Sequence, residues 1–133
     1  MTEFRTGTPV KLAKKRVLVA DDRPTSRELV RTALERSGYD VSEAVDGRDA
    51  LEQIRNSMPD LVILDLHMPV VDGFAVVREI RMDDSLRRLR VVALTASAME
   101  GDRLKALGAG FDGFLTKPLS LVSLREELAG LLA

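Results

Sequence analysis

The chain has 133 residues, 45% of them hydrophobic and 31% charged, which fits one globular domain with a real core. A net charge of −1 gives no general pull toward nucleic acid or an anionic membrane. With no cysteine and a single histidine, His67, disulfides, thiolate metal sites and multi-histidine metal sites are excluded; no run reaches the roughly 18 apolar residues of a membrane span.

Residues 1–14 read as a flexible leader, with Thr, Gly, Pro and Lys and no hydrophobic period. From Lys15 onward, short apolar runs alternate with longer amphipathic ones. Val17–Ala20 is a buried strand by its length and β-branching. Pro24 suits the first turn of the helix that follows, Val30, Ala33, Leu34 and Ser37 mark its inner face, and Gly38 ends it. Tyr39–Ala44 is a more polar strand, expected at a sheet edge. Asp46-Gly47 predicts a turn, after which Ala50, Leu51 and Ile54 line a short helix. Leu61–Asp65 is the most apolar strand and belongs at the centre. Pro69 and Asp72-Gly73 mark a loop before a helix with Phe74, Val77 and Ile80 inward. Val91–Thr95 is a fourth strand. The helix over 98–107 is weakly amphipathic, with Leu104 and Leu107 to bury. Gly108-Ala109-Gly110 breaks it, Gly113–Thr116 is a fifth strand, and Leu121, Leu124, Leu128 and Leu131 recur at helical spacing in a last helix. The sum is (βα)5. Such alternation implies a parallel sheet with helices on both faces, and continuous apolar strands agree with two covered faces.

Polar residues cluster at the strand ends: Asp21-Asp22, Asp65, Thr95, and Lys117-Pro118. In an open α/β sheet, sites gather at the C-terminal ends of the strands. Adjacent carboxylates there repel one another unless something holds them, and Mg²⁺, a hard cation that takes oxygen ligands, would do so. A turn acid and a helix N-cap before Pro24 is the plainer alternative. Asp65 at the end of the most apolar strand can act as a nucleophile and form an acyl phosphate. Thr95 could donate to a phosphoryl oxygen, and Lys117 could bring a compact charge, although either alone reads as an ordinary strand or surface residue. Pro118 is a candidate for a cis peptide bond.

Taken together, Val19-Ala20-Asp21-Asp22, Leu64-Asp65-Leu66-His67-Met68-Pro69 with Asp72-Gly73, Ala93-Leu94-Thr95-Ala96 and Phe114-Leu115-Thr116-Lys117-Pro118 resemble the receiver domain of two-component response regulators, over residues 15–133. The resemblance implies a flavodoxin-like (βα)5 three-layer sandwich with a five-stranded parallel sheet in order 2-1-3-4-5. It implies a signalling phosphoacceptor rather than an enzyme with its own substrate. Asp65 would take a phosphoryl group from a histidine kinase or a histidine phosphotransfer protein. Asp22, Asp65 and the backbone carbonyl of His67 would hold Mg²⁺ (or Mn²⁺), with Asp21 acting mostly through a coordinated water. Thr95 and Lys117 would hold the phosphoryl oxygens, and Thr95 with Phe114 would form a switch in which a Phe favours the buried position more than a Tyr would. The side chains of His67 and Ser97 would tune phosphate lifetime, and Arg23 would sit at the rim.

The same resemblance points to a readout face made by helix four, strand five and helix five, including Met99, Arg103, Lys105 and the segment 119–124. The absence of cysteine and of a signal-peptide pattern makes a reducing, cytoplasmic setting the simplest expectation, and the charge balance and short apolar runs predict no direct nucleic-acid or membrane binding; the downstream effector is unspecified and a homodimer on the readout face is left open. Both a stand-alone regulator and a receiver excised from a hybrid kinase fit. Two rivals fail on residue order. A dehalogenase-type phosphatase places its nucleophilic Asp first with a second Asp two residues on, where this chain has His67. A flavodoxin needs a Ser/Thr/Gly-rich phosphate loop where this chain has Asp21-Asp22-Arg23-Pro24. A receiver-shaped module that never uses a phosphate is the third.

Overall fold

The computed structural model describes residues 14–96 and 100–132. Strands and helices alternate: β1 (Arg16–Ala20), α1 (Pro24–Arg36), β2 (Asp40–Ala44), α2 (Gly47–Ser57), β3 (Leu61–Asp65), α3 (Gly73–Met82), β4 (Arg90–Thr95), α4 (Glu100–Ala109), β5 (Gly113–Thr116) and α5 (Leu121–Leu132). All strands pair in parallel in the order β2-β1-β3-β4-β5, as the sequence led us to expect.

The pleat divides the core into two. Leu18, Ala20, Val62, Leu64, Val91, Ala93 and Phe114 point to the side covered by α2, α3 and α4. Val17, Val19, Leu61, Ile63, Val92, Leu94 and Leu115 point to the other, where Val30 and Leu34 of α1 and Leu124 and Leu128 of α5 meet them. Every residue of β3 is buried, because this strand is central and both its faces are covered. The edge strand β2 alternates more, with Asp40 and Ser42 exposed.

Helix starts differ from the sequence reading in an instructive way. Asp46 and Asp72 are N-caps rather than mere turn residues: each carboxylate accepts the N–H three residues on, from Asp49 and Ala75, both at 2.8 Å. The glycine after each cap is the first helical residue, and it is glycine for want of space. A Cβ on Gly47 would strike the Val71 carbonyl, and one on Gly73 would lie 2.6 Å from the carbonyl oxygen of Asp65. Helix α2 ends without glycine, its C-cap Met58 taking the left-handed region at φ 45°.

Helix α4 departs most from expectation. Its described residues run from Glu100 to Ala109, past the expected end at 107, and neither Leu104 (66% exposed) nor Leu107 (40%) is buried. Among the described side chains of the helix, Ala106 is the one fully buried. The rings of Phe111 and Phe114 fill the space beneath the helix, leaving room for a methyl group. At about 100° per residue, Leu104 then falls nearly opposite Ala106 and Leu107 to its flank. Cationic side chains cover the seams: Arg103 lies over the Phe114 ring at 5.9 Å and Lys105 over Phe74 at 5.1 Å. Phe74 itself is only half-buried, and Leu121 of α5 is exposed where the leucine spacing predicted burial. Ser97 and Met99 lie outside the described residues. Among the described residues, no helix is long and apolar enough to cross a membrane.

Candidate functional site

Parallel register carries distant residues to one edge. Ala20 is level with Ala44 on one side and Leu64 on the other, Asp65 with Leu94, and Thr95 with Thr116. The residues at or just past the ends of β1, β3, β4 and β5 therefore meet at the C-terminal edge, at the point where β1 has β2 on one side and β3 on the other. That reversal of strand order is where open α/β sheets keep their sites.

Asp21 is fully buried, Asp65 is 5% exposed and Thr95 is fully buried. The ammonium of Lys117 lies between the two acids, 3.0 Å from Asp21 Oδ2 and 2.9 Å from Asp65 Oδ2. Oxygens of Asp21, Asp22 and Asp65 lie within 4.8 Å of one another. Asp22, half-buried, has no hydrogen-bond donor among the described residues. It is not the N-cap of α1 either: that place falls to Arg23, which makes no side-chain cap. Three hard oxygen donors with one carboxylate left open suit a small divalent cation, so the donor set fits Mg²⁺.

The two buried acids are treated differently. Burial pushes Asp21 up, but the Ser26 hydroxyl (2.6 Å), the Arg23 N–H (3.0 Å) and Lys117 outweigh it and leave the carboxyl below its ordinary value. Burial also pushes Asp65 up, and the charge of Asp21 adds to it; the His67 N–H (2.9 Å) and Lys117 do not make up the difference, so Asp65 stays raised. Lys117 is raised because its bonds to Asp65 and Asp21 outweigh the desolvation that would lower it.

The remaining expected residues fall as follows. His67 turns its side chain to solvent and lends Asp65 a backbone N–H. The Thr95 carbonyl accepts the Lys117 N–H at 2.8 Å, which sets the lysine level with the end of β4. The Lys117–Pro118 bond is cis. Phe114 is buried in the α2–α3–α4 side of the core, 6% exposed. Arg23 is exposed at the rim.

Two residues escaped the sequence reading: Ser26, and Arg27, whose guanidinium donates to the Asp21 carbonyl at 2.8 Å. The sequence offered a positional signal and no more. A helix opening at Pro24 puts both in its first turn, directly above the end of β1. Beside the pocket runs a groove of about 590 Å³, lined by Pro24, Leu29, Ala33, Lys117, Pro118 and Leu119.

A doubly covered parallel sheet with an acidic pocket at its switch point and a lysine reaching into it defines a narrow class of domain. The model of the response regulator receiver domain matches residues 17–129, and the chain belongs to that family. It is 41% identical over 130 residues to the sensor protein EvgS of Escherichia coli O157:H7, covering 97% of this chain but 11% of EvgS. It is 33% identical over 114 residues to the polar-differentiation response regulator DivK of Brucella anthropi, covering 86% of this chain and 93% of DivK. Among solved structures it resembles the receiver domain of the sensor histidine kinase PA1611 from Pseudomonas aeruginosa PAO1, which has a magnesium ion coordinated in its active-site cleft. That likeness has a TM-score of 0.78 and 33% identity, covering 86% of this chain and 93% of that one. The chain is thus a receiver domain of two-component phosphorelay signalling, similar both to stand-alone regulators and to the receivers of far longer kinases.

Proposed function

We propose that Asp65 is the phosphoacceptor. One of its carboxylate oxygens attacks the phosphorus of a phosphohistidine. The P–O bond forms as the P–N bond breaks, and the imidazole nitrogen keeps the electron pair. The observation that carries this reading is one ammonium, Lys117, held at 2.9 Å by Asp65 and at 3.0 Å by Asp21 at the sheet's switch point. A lysine already on the acceptor carboxylate is within reach of phosphoryl oxygens attached there. The Thr95 hydroxyl is the second group that would bind them, and Thr95 with Phe114 would report the change to the α4 side of the domain.

Asp22, Asp65 and the His67 backbone carbonyl would hold Mg²⁺ or Mn²⁺, with Asp21 acting through a coordinated water. The cation, when bound, would offset negative charge on the phosphoryl oxygens. The domain then acts on no substrate other than its own aspartate, catalysing only its own phosphorylation and dephosphorylation.

The donor in this reading is a histidine kinase or a histidine phosphotransfer protein. The groove beside Lys117, apolar along Leu29, Ala33, Pro118 and Leu119, would seat its histidine-bearing helix. The output runs through the face of α4, β5 and α5 to a protein effector, with a second copy of the chain as an alternative occupant. Nothing in this scheme needs nucleic acid or a membrane. It places the domain in the cytoplasm, where a phosphohistidine is made from ATP. We take the receiver to span 15–133 and residues 1–14 to be a leader; the family match over 17–129 supports that division.

Intact mass after incubation with acetyl phosphate and Mg²⁺ tests the reading. One added phosphoryl group is expected, lost with EDTA and lost in Asp65→Asn. Should a phosphohistidine donor also leave the mass unchanged, the phosphoacceptor reading fails and a phosphate-independent interaction module replaces it.

A further inference from the structure

We propose that Arg27 is a positioning residue for the cation site, acting through the backbone of Asp21; this rests on the carboxylate cation site proposed above. The paired stretch of β1 ends at Ala20 on both sides. Beyond it, the Asp21 N–H still reaches back to the Ala44 carbonyl of β2 at 3.2 Å. The Asp21 carbonyl is met by Arg27 Nη1 at 2.8 Å. That carbonyl belongs to the peptide joining Asp21 to Asp22, so its direction fixes the plane from which Asp22 departs.

The consequence falls on Asp22. The Asp21 carboxylate is tied by Arg23, Ser26 and Lys117, and the Asp65 carboxylate by His67 and Lys117. The Asp22 carboxylate has no such tie among the described residues, so its place in the pocket is set by its backbone. Arg27 is itself held. Its Nε donates to Glu43 Oε1 at 2.8 Å, Glu43 is bonded in turn by Arg31, and the Glu43 carbonyl accepts from Gln53 at 2.7 Å. The tether therefore runs from α2 and the edge strand, through α1, to the peptide that aims an open carboxylate.

Field and position make opposite forecasts, because Arg27 is a cation beside a cation site. If its charge alone mattered, removing it would tighten cation binding. If it positions Asp22, removing it weakens binding, since partners behind the ligands of a metal commonly carry about 10- to 100-fold in affinity.

The experiment is a calorimetric titration of Mn²⁺ into wild type, Arg27→Gln, Arg27→Lys and Asp22→Asn, well below each melting temperature, with circular dichroism to confirm folding. We expect Kd to rise about tenfold in Arg27→Gln. A smaller rise is expected in Arg27→Lys, which keeps the charge but cannot span both acceptors. A Kd in Arg27→Gln equal to or below that of wild type overturns the proposal. If that variant does not fold, an unchanged Kd in Arg27→Lys overturns it instead. A wild type that binds no Mn²⁺, or an Asp22→Asn that binds as well as wild type, brings down the cation-site reading itself and the tether with it.

Discussion

Lys117 has one ammonium and two buried carboxylates to serve, and much of the site's chemistry follows from that ratio. Asp21 gathers extra donors and holds its charge; Asp65 gathers fewer and is the readier of these two for a new partner. The acids and the lysine were legible in the sequence because each stands at the end of an apolar run. Ser26 and Arg27 were not, because nothing in a helical stretch says which polar residue turns back toward the preceding strand. Arg27 also opens a pH test through Glu43. Hydrogen bonds from Arg31 and Arg27 outweigh a small desolvation and hold the Glu43 carboxyl below its ordinary 4.5. The unfolded chain therefore takes up a proton before the folded one does. The stability from this group is full above the ordinary value and is lost as pH falls through the lowered one. In Glu43→Gln, the difference in unfolding free energy between pH 7 and pH 3.5 is expected to shrink by up to about 1 kcal/mol, as suits a partly exposed ion pair. Denaturant titrations at the two pH values measure it, and a slope equal to wild type would deny the pair any share in acid sensitivity.

Among the elements, α1 and α4 form a contrast that composition hides. Both are weakly apolar helices by sequence. In α1 the apolar residues fall on one stripe, and Val30 and Leu34 reach the sheet. In α4 the two leucines face outward and the helix rests on Ala106, with Arg103 and Lys105 laid over aromatic rings. Leu34→Ala is expected to cost about 2–5 kcal/mol, a fully buried leucine lost from a closed core. Leu104→Ala is expected to stay within about 0.5 kcal/mol, as for a surface change. Chemical denaturation of the two variants side by side decides it, and a large loss in Leu104→Ala would mean that the leucine is covered in solution. Periodicity told us that a helix lay here; it did not tell which residues the aromatic rings beneath would leave space for. The same limit applies at Gly73. The sequence marked it as a loop glycine, whereas its lack of a side chain is what lets α3 begin against the backbone of Asp65.

For the molecule as a whole, the site is a source of instability that a ligand can relieve. Three carboxylates have oxygens within 4.8 Å of one another at the C-terminal edge of the sheet, and the one ammonium pairs with only two of them, Asp21 and Asp65. A cation that binds the folded chain alone stabilises it by mass action, by about 2.7 kcal/mol at a concentration 100 times its Kd. Melting temperature should therefore climb with Mg²⁺ concentration. Asp65→Asn removes one negative charge from the group, so it should melt above wild type without Mg²⁺ and respond little when Mg²⁺ is added. Thermal melts across a Mg²⁺ series measure both effects. An Asp65→Asn that melts below wild type in EDTA would show that the carboxylates are not in net repulsion.

The sequence by itself determined the alternation of strand and helix, the covering of both sheet faces, the central place of β3 and the identity of the polar residues at the strand ends. These are properties of short segments, where apolar period, length and breaking residues carry the information. Tertiary structure alone decided how far each of those residues is buried, which carboxylate has a donor and which has none, and what lies behind the ligands. It also decided that α4 rests on a methyl group rather than on leucines. Those facts depend on register between strands far apart in the chain and on the volume left over once the large side chains have packed, and neither is written in any local pattern.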